Sequence, residues 1–130
     1  MYKIERTDFG VRLIFDGFMK QEEMAKWVAE SEQFVKSLPP KFGVIVDMRG
    51  LKPLTAEAEK EMQNGQKLYK KSGMERSAVI LSSAVVTMQF KRIAQETGIY
   101  QWERYIDASK VANWEEVAKK WLVNAEDPDK

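Results

Sequence analysis

The chain has 130 residues, with 21 Lys and Arg against 20 Asp and Glu, and it contains neither histidine nor cysteine. That length builds one domain with an adequate core. The two missing residue types exclude Ser-His-Asp and Cys-His catalysis, thiolate nucleophiles, disulfides, cysteine-ligated zinc and most transition-metal centres.

A net charge of +1 offers no global field to attract nucleic acid or an anionic membrane. The opening MYKIERTDFG alternates charged with apolar side chains and lacks the apolar centre of a signal peptide. No apolar run approaches the roughly 20 residues of a membrane span, so a soluble, cytoplasmic protein is expected. Residues 2–6 and 11–15 read as short strands, with Asp8, Phe9 and Gly10 as the turn of a hairpin. Over residues 20–38 Met24, Trp27, Val28, Phe34, Val35 and Leu38 fall mostly at helical spacing, and Pro39-Pro40 ends the run. Residues 42–48 are continuously apolar up to Asp47, the pattern of a strand covered on both faces.

Thr55 is placed to cap the next helix, with Glu57, Glu59 and Glu61 near its positive end and Lys67, Lys70 and Lys71 near its negative end. Gly73 stops it. Residues 78–81 give another buried strand, and Ser82 or Ser83 caps a helix carrying Val86, Phe90, Ile93 and Ala94 at spacings of three and four. Gly98 ends that helix. Residues 100–106 read as the last strand, and Asn113 with Glu116 as a capping box for a final helix that buries Val117, Trp121 and Leu122. The acidic residues 124–130 are expected to form a flexible tail, leaving 1–123 as the domain. Helical crossovers force their flanking strands parallel. The expected fold is therefore α/β: a β-hairpin followed by βαβαβα, a mixed five-stranded sheet with flanking helices.

Three segments carry a family resemblance: the strand exit VIVDMRGL, the strand SAVILSS leading into a helix that ends at Thr97-Gly98, and the closing ERYIDASKVA. On these the chain resembles a STAS domain over nearly its whole length. Within that fold it is similar to the SpoIIAA-like group of small bacterial proteins, which share a strand ending in Asp-x-Arg, here Asp47 to Arg49, and a final helix ending in Trp-Leu, here Trp121 and Leu122. Partner-switching members are phosphorylated in an Asp-Ser-Ser/Thr-Gly segment opening the helix after the central strand. The corresponding segment here, LKPLTAEAEKE, departs from that pattern and offers Thr55, followed by Ala56 and Glu57. Thr55 is thus a helix cap by local chemistry and a phosphorylation candidate by resemblance, since a helix N-terminus accommodates phosphate. The same group resembles minimal CRAL-TRIO lipid-binding domains, which implies an apolar ligand or a membrane surface.

Ligands of parallel α/β sheets bind beyond the carboxyl ends of the strands. That rule selects Asp47 and Arg49 after one strand, Ser82 and Ser83 after the next, and Val85, Thr87, Met88, Phe90 and Arg92 on the following helix. Arg49 and the free N–H groups of the helix start would hold an anionic head group. Val85, Met88 and Phe90 would lie along its apolar portion, since adaptable side chains suit variable ligands. Each residue also has a structural reading: Asp47 pairs with an Arg or bonds loop backbone, Arg49-Gly50 makes a turn, the serines are caps, and the apolar residues are core plus a partly exposed face. Trp102, Tyr105 and Trp114 read as core or interface aromatics.

Catalysis would have to rest on Asp47 with Tyr69 or Lys52, which no spacing singles out. Lys70-Lys71 and Lys119-Lys120 are short pairs, not a nucleic-acid stripe. The expected function is a non-enzymatic binding domain, without cofactor or metal, for a small apolar or lipid-like ligand or a membrane surface. The alternative is a regulatory protein–protein module of the anti-sigma-factor-antagonist type, with a homodimer through a sheet edge or the Met88 helix as a further partner.

Overall fold

Strand alternation divides the chain into two unequal cores. The computed structural model describes all residues 1–130. It contains β1 (Tyr2–Arg6), β2 (Gly10–Gly17), α1 (Gln21–Phe34), β3 (Phe42–Leu51), α2 (Ala56–Ser72), β4 (Met74–Leu81), α3 (Ala84–Thr97), β5 (Glu103–Asp107) and α4 (Trp114–Asn124). Short 3-10 turns occupy Val35–Ser37 and Tyr100–Trp102. The sheet order is β1-β2-β3-β4-β5, with β1 antiparallel to β2 and every later pairing parallel. This is the expected mixed five-stranded α/β sheet.

Along β3, Val44, Val46 and Met48 face a larger core that also holds residues of α1, α2 and α3. Ile45, between them, faces a smaller core with Ala118, Trp121 and Leu122 of α4. Three helices therefore share one face of the sheet and one helix covers the other. Three crossovers on one face, all of the same hand, carry the strands across the sheet in sequence order.

The larger core centres on Trp27. Its indole meets Phe15 edge-on at 5.0 Å and stacks on Tyr69 at 6.0 Å, between centroids. Burying the ~200 Å² of an indole stabilises by about 5 kcal/mol before ordering entropy is subtracted. The ring reaches α2 because position 65 is glycine: a Cβ there would run into the six-membered edge of the indole. On the other face Trp121 Nε1 donates to the Ser77 carbonyl at 2.9 Å and fastens α4 to β4.

Local chemistry accounts for the helix ends. Thr55 Oγ1 accepts from the Ala58 N–H at 3.2 Å, Ser83 Oγ accepts from the Val86 N–H at 3.3 Å, and Gly98 closes α3 with φ +84°. Several boundaries differ from the sequence reading. Strand β4 begins at Met74, immediately after Gly73, because the glycine's φ of +123° turns the chain straight from helix into strand. Residues 100–102 form a 3-10 turn, closed by the Trp102 N–H on the Ile99 carbonyl, and β5 begins only at Glu103. Asn113 precedes α4 without a side-chain cap bond, so the capping box with Glu116 does not form. Asn124, assigned to the tail from sequence, closes α4, and the acidic segment beyond is tied down at Asp127. Arg104 grips that carboxylate with Nε at 2.9 Å and Nη2 at 3.0 Å, while its guanidinium stacks 4.2 Å over Trp121. The pairing holds the Asp127 carboxyl down at about 2.

Candidate functional site

Residues 47 and 49 lie two apart on β3 and therefore on the same face, the one covered by α4. Arg49 donates from Nε to Asp47 Oδ1 at 3.0 Å and from Nη2 to Oδ2 at 2.8 Å, and its backbone N–H adds a third bond at 3.1 Å. The same guanidinium lies 4.6 Å over the Trp114 ring. Burial pushes the Asp47 carboxyl up, but its bonds from Arg49 outweigh that and hold it below the usual range. Arg49 is thus committed on two sides, and the pair links the exit of β3 to the start of α4.

The other selected residues sit across the sheet on α3. Ser83 is the cap, Ser82 is exposed before it, and Thr87 Oγ1 donates back to the Ser83 carbonyl at 2.7 Å. Val85 and Met88 are 64% and 73% exposed on the outer side of the helix. Phe90, two residues beyond Met88 and so about 200° around the helix, is 1% exposed and points into the core. Arg92 joins Glu59 Oε2 of α2 at 2.5 Å and Glu96 Oε2 at 3.3 Å. The pocket expected from sequence is therefore not assembled on one wall: Asp47 and Arg49 belong to the α4 side, Phe90 to the interior, and Val85 and Met88 to the outer surface of α3.

A different constellation does come together at the carboxyl edge of the sheet. Gln89 of α3 accepts from the Leu54 N–H at 2.9 Å and donates to the Leu54 carbonyl at 2.8 Å and to Glu59 at 2.5 Å. This clamp holds the Leu54-Thr55 loop against α3. It sets exposed Thr55 on the element beside the one that presents Val85 and Met88. Nothing in the sequence pairs Gln89 with a loop 35 positions earlier.

The interior between α2 and the sheet contains a narrow seam of about 30 Å³, lined among others by Trp27, Met48, Met62, Gln66, Phe90 and Glu103. One water needs roughly 10–15 Å³, whereas small-molecule pockets span roughly 300–1,000 Å³. The seam accommodates a water or two, not a lipid chain. Glu103, which sequence reasoning did not select, is 5% exposed. It accepts from Ser77 Oγ at 2.8 Å and from the Tyr105 hydroxyl at 2.6 Å. Burial pushes its carboxyl up to about 7 against these two bonds. The residue that could have drawn attention to it is Ser77, which pairs with Glu103 in the parallel register of β4 and β5.

No three acidic residues converge to hold a metal ion, and no helix is long and apolar enough to cross a membrane. The constellation brings together an apolar outer surface on α3, the helix-capping hydroxyl of Thr55 on the neighbouring element and the buried carboxyl of Glu103. No family model and no curated protein matches the chain. Among solved structures it is similar to the NMR structure of the protein TM1081, with a TM-score of 0.54 and 18% identity over 90% of this chain and 88% of that one. That likeness extends to the fold alone.

Proposed function

We propose that this chain is a non-enzymatic cytoplasmic domain that docks a partner protein through the outer face of α3, with the Thr55 loop beside the contact. The observation that carries the reading is the exposure of Val85 and Met88 on a helix whose inner residues Val86, Phe90, Ile93 and Ala94 are fully seated. Single exposed apolar residues are ordinary. These two stand three apart on one stripe, above a core with no room for a ligand of lipid size. Charge favours a protein over a membrane as the occupant. Arg92 is neutralised by Glu59 and Glu96, and the Lys91 ammonium lies 5.5 Å over the Tyr105 ring, so α3 carries no free basic stripe for anionic lipid.

The STAS resemblance supports the same reading and assigns Thr55 a regulatory place. A phosphate on its exposed hydroxyl would be favoured by the dipole of α2 and would put charge beside an apolar contact, weakening it. The lipid-like ligand reading retains one supporting feature, the Met48, Met62 and Met74 lining of the seam. It requires that seam to open severalfold.

A photo-crosslinking residue at position 88, compared with one at position 123, tests the proposal. Val123 on α4 is 57% exposed and serves as the matched control. The expected result is one protein trapped from position 88 and absent from position 123. Equal trapping at both positions, or none at 88, counts against docking through α3.

A further inference from the structure

Two carboxylates of this chain are buried, Asp47 and Glu103. Asp47 has Arg49. Glu103 has no cation and depends on two hydroxyls, those of Ser77 and Tyr105. The charged and titratable groups around it are engaged elsewhere. From α2, the Tyr69 hydroxyl is bonded to Ser31 at 2.9 Å, and Lys70 Nζ binds the Met74 carbonyl and lies 3.8 Å over the Trp102 ring. From α3, Lys91 sits over the Tyr105 ring. The Tyr100 ring packs 6.2 Å from that of Tyr105. Arg104 is held by Asp127, and Asp129 stands at the rim of an open depression beside β5 that Glu103 also lines.

The Tyr105 hydroxyl has one hydrogen and two acceptors within reach: Glu103 Oε2 at 2.6 Å and the Phe90 carbonyl of α3 at 3.4 Å. A single phenol hydrogen makes one good bond, and 3.4 Å is the long limit for the other.

We propose that Glu103 and Tyr105 form a proton-operated relay from the sheet edge to α3: ionised Glu103 holds the phenol hydrogen, and protonated Glu103 releases it to the Phe90 carbonyl. In the ionised state both hydroxyls donate to the carboxylate. When a solvent proton binds Oε2, the carboxyl becomes the donor to the phenol oxygen, and the phenol hydrogen rotates towards Phe90. No covalent bond changes except the O–H formed on Glu103. The proton has a route, because Glu103 borders both the interior seam and the open depression. The raised carboxyl places the exchange near neutrality. The turn that receives the hydrogen follows directly on Met88. Control of docking by this relay rests on the α3 reading above, while the relay itself does not.

Amide NMR of the full chain between pH 5 and 8 tests it, on wild type, Glu103→Gln and Tyr105→Phe. The reporting group on α3 is the Ala94 N–H, whose helical acceptor is the Phe90 carbonyl. Wild type is expected to show one transition near pH 7 in both β5 and Ala94. Glu103→Gln should lose it everywhere, and Tyr105→Phe should keep it in β5 while losing it at Ala94. A wild-type Ala94 that stays flat over this range, or one that titrates unchanged in Tyr105→Phe, overturns the relay. Because the readout needs no partner, its failure leaves the α3 docking reading standing, and failure of docking leaves the relay standing.

Discussion

Glu103 and Tyr105 stand two positions apart on β5, so both face the larger core, and the phenol oxygen lies 2.6 Å from the carboxylate. The edge strand thus carries an acid into the protein interior with only hydroxyl partners, and stability should register its titration.

The folded protein holds the Glu103 proton more tightly than the unfolded chain does, at about 7 against an ordinary 4.5. The resulting stabilisation is fully present below the unfolded value and is lost as pH rises to and through about 7. At ~1.4 kcal/mol per pH unit the total is about 3 kcal/mol. Urea unfolding of wild type and Glu103→Gln from pH 4.5 to 8 isolates this contribution from other titrating groups. The difference between the two proteins should change by about that amount across the range, and parallel curves would contradict the assignment.

Gly65→Ala separates packing from helix propensity. Propensity alone predicts a gain of about 1 kcal/mol for alanine in a helix interior. A Cβ at position 65 collides with the Trp27 indole, and overpacking of a filled core costs about 1–3 kcal/mol. Net destabilisation is expected, and Gly65→Val should be worse. Denaturation followed by tryptophan fluorescence decides the sign, and a stabilised Gly65→Ala would mean that the indole moves aside freely.

Gln89→Ala removes the clamp on the Leu54-Thr55 loop and leaves the Leu54 N–H without its partner. The cost is about 1–3 kcal/mol if that group stays buried. Hydrogen exchange at the Leu54 amide should accelerate at least about tenfold, with little change in the centre of β3. Uniform acceleration through the molecule would point instead to general destabilisation.

Arg49→Ala tests whether that residue is structural. Its own side chain is half exposed, but its loss leaves the buried Asp47 carboxylate with a single backbone bond, so a cost of about 1–3 kcal/mol is expected. Partner recovery should be unchanged at a pH where the protein is fully folded. A docking defect in folded Arg49→Ala would bring the α4 face into the contact.

Thr55, Gly73 and Gly98 are readable from sequence as helix ends because caps and stops are local chemistry, and of the two candidate caps Ser82 and Ser83 the structure uses Ser83. Phe90 follows Val86 by four and so shares its inward stripe, but the ligand reading grouped it with Val85 and Met88, which lie on the outer surface. Asp47 and Arg49 share a face because β3 runs on to Leu51, past residue 48 and the Arg49-Gly50 turn read from sequence, and which helix covers that face depends on the handedness and order of every crossover. The anionic pocket drawn from sequence failed at that point, by joining residues from opposite sides of the sheet. Glu103 and Gln89 were invisible for a related reason. Ser77 meets Glu103 only in the parallel register of β4 and β5, and Leu54 meets Gln89 only once α3 has packed beside the loop.

The most direct measurement is calorimetric titration of the protein trapped at position 88 with wild type, Met88→Asp and Val123→Asp. Desolvating a charge at the centre of an apolar contact costs enough to weaken binding by at least about tenfold. Docking through α3 therefore requires a loss of that size in Met88→Asp and wild-type affinity in Val123→Asp. Undiminished binding by a folded Met88→Asp would contradict it.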